Sequence, residues 1–71
     1  MSNPDLEPGE TSEWVLYLQQ LLNHYYEQEV VPESGDFDET TASAVSHFRE
    51  QHGLKEGSTV DWTVWEKLTG P

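Results

Sequence analysis

The stretch GDFDETTASAVSHF, residues 35–48, decides the fold. It opens on a glycine and carries two aspartates, Asp36 and Asp38, each able to cap a helix, with Glu39 suited to the positive first turn. Thr41, Ala44, Val45 and Phe48 then recur at the spacing of one helical face, and His52 continues it. Gly53 stands where a helix hands over to a left-handed residue, and Leu54 can fold back as the hydrophobic contact of that ending.

Working upstream, residues 27–37 hold valines, a proline, a serine and a glycine, which favour a loop. A first helix before it begins near Thr11 or Ser12, either of which can cap it, and ends near Tyr26. Trp14, Leu18, Leu21, Leu22 and Tyr25 form its apolar stripe, widened by Val15. Residues 1–10 read as an irregular lead-in with Leu6 the one residue able to dock on a core, leaving 11–71 as a single domain. Downstream, Gly57-Ser58 marks a turn and a short last helix follows. Asp61 can cap it, and Thr63 with Glu66 also fits a capping box, putting Trp65 and Leu68 on one side with Val64 adjacent. The expected fold is an all-α, compact three-helix bundle with Leu18, Leu22, Val45, Phe48 and Trp65 in mutual contact.

The chain has 71 residues and no cysteine, so no disulfide supplements the core. Fourteen acids stand against Lys55, Lys67 and Arg49, a formal charge of −11. Phosphate binding needs clustered Lys and Arg, so nucleic acid and anionic membrane surfaces are excluded as partners, while a basic protein surface would be attracted. No apolar run is long enough to span a bilayer, and the N-terminal residues lack the pattern of a signal peptide. The expected place is the cell envelope or the exterior if the chain is processed from a longer one, and the cytoplasm otherwise.

Taken in order, Leu6-x-x-Gly9, Val15-x-x-Leu18-Gln19-x-x-Leu22, Tyr25-Tyr26, Gly35-x-Phe37, Thr41-x-x-Ala44-Val45-x-x-Phe48, Gly53-Leu54, Glu56-Gly57 and Trp65-x-x-Leu68 resemble the small three-helix peptidoglycan-binding domain found on bacterial cell-wall hydrolases. The resemblance runs from about Leu6 to Leu68. It implies a non-catalytic module that binds cell-wall peptidoglycan and tethers an associated enzyme or assembly. Ser34 stands where the family commonly has an acid, Asp38 where it has a second glycine, and Arg49 where it has glutamine. The alternative function on the same fold is a protein–protein module docking to a basic partner surface.

Recognition of a glycan or stem peptide needs aromatic faces and a few placed polar groups. Tyr25, Tyr26 and Trp62 are the aromatics least demanded by the helical pattern, and Ser34, Asp36, Arg49 and Gln51 supply polar contacts beside them. The expected ligand-binding set is Tyr26, Ser34, Asp36, Arg49, Gln51 and Trp62, with Arg49 exposed and taking a stem-peptide carboxylate through its fork. The acids between Glu27 and Glu39 lack the spacing of a calcium loop, and His24, His47 and His52 lack that of a zinc site, so no cofactor is expected. No nucleophile elbow, phosphate loop or metalloprotease signature is present, so no catalytic residue is assigned. A monomer is expected.

Self-repulsion among the acids follows from the charge, and salt screens it over about 8 Å at physiological strength. The melting temperature should therefore rise from low salt to a few hundred millimolar sodium chloride. A flat or falling trend in differential scanning calorimetry would show that the acids are paired or too dispersed to matter.

Overall fold

In a computed structural model, residues 3–70 are described, and the outermost residues of the segments 1–10 and 11–71 lie outside them. Three helices follow in order: α1 (Glu13–Tyr26), α2 (Glu39–Gln51) and α3 (Trp62–Thr69). The fold is all-α, as expected. The Cα radius of gyration of 10.7 Å is that of a closely packed globule.

Each helix starts on a side-chain acceptor. Ser12 Oγ takes the Val15 amide at 3.2 Å, Asp38 Oδ1 takes that of Thr41 at 2.9 Å, and Asp61 Oδ1 takes those of Thr63 and Val64. Of the alternatives open in the sequence, Thr11 and Asp36 do not cap but bond to each other, Thr11 Oγ1 donating to Asp36 Oδ1 at 3.0 Å. Thr63 lies inside α3 and donates its hydroxyl to Asp61, so the capping box built on Thr63 and Glu66 is not the start of the helix. At the end of α2 the ending read from Gly53 and Leu54 is present. Gly53 has φ +67°, its amide bonds Glu50 O, and that of Leu54 bonds Arg49 O. The same ending closes α1, but with Glu27 at φ 55°, a left-handed position held without a glycine.

Val15, Leu18 and Leu22 of α1 pack with Val45 and Phe48 of α2 and Val64 and Trp65 of α3. The apolar stripe expected on α1 is rotated. Trp14 and Tyr25 are each 42% exposed, while Gln19 is fully buried with Val15, Leu18 and Leu22. Aromatic rings at the edge of a helix face raise its apparent hydrophobicity whichever way they point, which is why they mislead. Irregular segments complete the core with Leu6, Val31, Phe37 and Val60. Leu6 and Val60 exchange backbone hydrogen bonds of 2.9 and 2.8 Å as an isolated antiparallel bridge, and Glu10 and Ser12 bond the 35–37 segment in the same manner.

Two carboxamides one turn apart on α1 organise the long loop. Gln19 Nε2 donates to Asp36 O at 2.9 Å and to Thr41 Oγ1 at 3.0 Å, and its Oε1 accepts from the amides of Ser34 and Gly35 at 3.0 and 2.8 Å. Asn23 Oδ1 accepts from Val30 and Val31 amides, and its Nδ2 donates to Val31 O and Glu33 Oε2. Burying an amide without partners costs about 1–3 kcal/mol per orphaned group. Gln19→Leu keeps the volume but strands two amides, a carbonyl and a hydroxyl, so it should destabilise by roughly 3 kcal/mol or more. Urea titration followed by tryptophan fluorescence checks this; a loss below about 1 kcal/mol would mean that water readily replaces the carboxamide.

Candidate functional site

Arg49 sits on the last turn of α2 and is buried, with 7% of its surface exposed. Its Nε donates to Lys55 O at 2.7 Å and its Nη1 to Thr59 O at 2.9 Å, with Asp61 Oδ1 3.4 Å away. The guanidinium thus ties the 53–61 turn to α2. The expectation of an exposed Arg49 free for a stem-peptide carboxylate is corrected: its fork is spent on main-chain carbonyls and the α3 cap. The Thr63 hydroxyl first, then the Val64 amide and the Arg49 charge, outweigh partial burial and hold the Asp61 carboxyl below its usual range. Asp38, on the surface, is lowered by the amide and hydroxyl of Thr41.

Ser34 and Asp36 belong to the loop that Gln19 holds. The Asp36 amide donates to Ser34 Oγ at 3.2 Å, and the Asp36 carboxylate accepts from Thr11. Both serve the turn geometry in front of α2. Trp62, at the first position of α3, is 64% exposed.

Tyr26 and Gln51 are brought together. Tyr26 Oη donates to Gln51 Oε1 at 2.6 Å, joining the C-terminal ends of α1 and α2. Burial, with the neighbouring Tyr25 behind it, raises the Tyr26 phenol above its ordinary value. Beside this pair runs an open groove of about 510 Å³ between the start of the loop after α1 and the outer face of α2. Tyr26, Val30 and Ala44 give it apolar contact, and Thr40, Ser43 and His47 give it hydrogen-bonding groups. The sequence reading missed Thr40, Ser43 and His47. Their signal was present: polar residues three and four apart along one flank of α2. Next to the groove, Tyr25 packs edge-on against Phe48 at 5.1 Å and its hydroxyl meets His52 Nε2 at 3.0 Å.

A second aromatic cluster lies at the other end of α1. Trp14 and Tyr17 meet at 74° with ring centroids 5.9 Å apart, and Trp65 lies behind both, at 6.0 and 5.8 Å. Among the described residues no group of three or more His, Asp or Glu could hold a metal ion, and no helix is long and apolar enough to cross a membrane.

Three capped helices around one core, with a loop pinned to α1 and an open groove beside it, define a small all-α domain. The family model described as "Putative peptidoglycan binding domain" matches residues 11–68, and the chain belongs to that family. The match takes in α1, the pinned loop, α2 and all of α3 but its last residue. No curated protein matches the chain at a significant level.

Acid should act on the caps in one direction. Asp38 and Asp61 have folded-state values below their unfolded ones, so protonation favours the unfolded chain. Their contribution is complete above the unfolded value of about 3.9 and is lost as pH falls from there towards the depressed folded values. Thermal melts should show stability holding or rising from pH 7 to about 5, as mutual repulsion among the other acids eases, and falling below about 4. A steady rise down to about pH 2.5 would show that the caps contribute little.

Proposed function

We propose that this domain binds the peptidoglycan of bacterial cell walls without catalysing its turnover, and so tethers an associated enzyme or assembly at the cell envelope. The observation that carries the reading is the family match across residues 11–68. The groove beside Tyr26 is the proposed contact. The Tyr26 ring and Val30 offer apolar area to a sugar face or an alanyl methyl, and Thr40, Ser43 and His47 offer donors and acceptors to hydroxyl and amide groups. Gln51 holds the Tyr26 ring in place through its hydrogen bond and is a positioning residue. Of the residues singled out in the sequence, Tyr26 and Gln51 remain in this site. Arg49, Ser34 and Asp36 serve the architecture, and Trp62 does not line this groove.

A second reading is favoured by one specific observation, the charge of −11, which suits a basic protein surface. Salt separates the two. Wall polymers are largely anionic, so added salt should strengthen retention of an acidic domain on insoluble sacculi, whereas it should weaken a complex with a basic protein. Soluble muropeptides followed by amide chemical shifts should perturb the groove, and Ser43→Trp, which fills it from an exposed position, should weaken binding about tenfold or more with little change in melting temperature. No retention on sacculi at any salt, with no shifts at millimolar muropeptide, would sink wall binding and promote the protein partner.

A further inference from the structure

The polar ends of the aromatic side chains divide into two groups. Trp65 Nε1 donates to Pro4 O at 2.8 Å, Tyr25 Oη meets His52, and Tyr26 Oη donates to Gln51. Those three are satisfied internally. The indole N–H of Trp14, the hydroxyl of Tyr17 and the indole N–H of Trp62 find no partner among the described residues. An amphipathic ring that only fills space normally has its polar end bonded or pointing to water at an edge. Trp14 and Tyr17 stand together at one corner, 42% and 40% exposed, with their polar ends open to the solvent side.

The corner is built for contact. Its two walls meet at 74° and are backed by Trp65, which stacks on Tyr17 with 22° between planes and is itself pinned to Pro4. Rings held this way lose little freedom on binding. The hollow in front measures about 410 Å³ and is lined by Asn3, Glu13, Trp14 and Tyr17. That volume lies within the roughly 300–1,000 Å³ of small-molecule sites. No lysine or arginine lines it, and Glu13 stands at its rim. A carboxylate or phosphate would meet repulsion there and no counter-charge. An uncharged pyranose would not: its C–H face lies against an indole, its hydroxyls donate to Glu13, and an acetamido group pairs with the Asn3 carboxamide or the free indole N–H.

We propose that the Trp14–Tyr17 corner binds an uncharged N-acetylated hexosamine unit of a glycan strand. This rests on the peptidoglycan reading for the source of the sugar, and adds to the Tyr26 groove a second contact selective for the neutral glycan over the anionic parts of the wall polymer.

The test uses the neutral β-1,4-linked tetramer of N-acetylglucosamine, with the whole chain labelled for NMR, and runs beside retention on sacculi. The tetramer should shift the Trp14 indole N–H and the Tyr17 ring signals, with or without shifts at the Tyr26 groove. Affinity should be unchanged between low and high salt. Trp14→Ala and Tyr17→Ala should each weaken the tetramer about 3- to 10-fold. The wild-type shifts need no variant, so a substitution that harms folding leaves the test intact. Retention on sacculi with no tetramer shift at Trp14 or Tyr17, or with shifts at the groove alone, overturns the corner and leaves wall binding standing. Tetramer shifts at the corner without retention on sacculi keep the corner and overturn wall binding. Salt-sensitive shifts with a lysine-rich peptide and none with the tetramer would assign the corner to a cationic partner and overturn the sugar.

Discussion

The Gln19 carboxamide has two N–H donors and an oxygen with two lone pairs, and all four are used inside the protein. It is fully buried at the centre of the α1 face. Its partners lie in the loop before α2 and on the first turn of α2, so one side chain sets where the loop turns and where the second helix begins. A buried amide in a helix face is tolerable only when every bond is made, and the same demand makes it specific: a slip of the loop by one residue would leave amides and carbonyls unpaired in the interior. Asn23, one turn further on, repeats the arrangement at the other end of the loop. The helices pack by hydrophobic burial, but the irregular chain between them has no periodic pattern and takes its shape from these two amides.

That division explains which parts of the structure could be read in the sequence. The existence of three helices, the caps at Ser12, Asp38 and Asp61, and the Gly53–Leu54 ending rest on local chemistry, which travels with the residues themselves. Thr11, Asp36 and Thr63 have the same chemistry, and only tertiary placement decides against them. The rotation of α1 was hidden because Trp14 and Tyr25 look like core and Gln19 does not, although a glutamine between Val15, Leu18 and Leu22 is itself the signal of a buried hydrogen-bonding hub. Val31, Phe37 and Val60 were invisible as core because a loop residue carries no period. For the groove, Tyr26 was legible as an aromatic to spare, while Thr40, Ser43 and His47 resemble any solvated helix face until the neighbouring loop is laid beside them.

The charge has a similar history. Of three strong bases, Arg49 is withdrawn into the interior to hold the 53–61 turn, and its partner Asp61 is the cap of α3. Lys55 and Lys67 are what remains at the surface against the acids. A surface so poor in cations recognises little through opposite charge unless the partner is basic. Its distinctive chemistry is aromatic and hydroxylic, concentrated at the two ends of α1.

The bridge between Leu6 and Val60, reinforced by the Trp65 indole on Pro4, has a mechanical meaning. It lays the segment before α1 against the segment before α3. A pull on the chain ahead of Leu6 reaches this clasp before it reaches α1. If the clasp parts, Leu6 leaves the core and Trp65 loses the bond that fixes it behind Trp14 and Tyr17. The element that docks the N-terminal segment is thus also the one that stiffens an exposed aromatic surface, so that strain at the bridge and order at that surface are joined through a single indole.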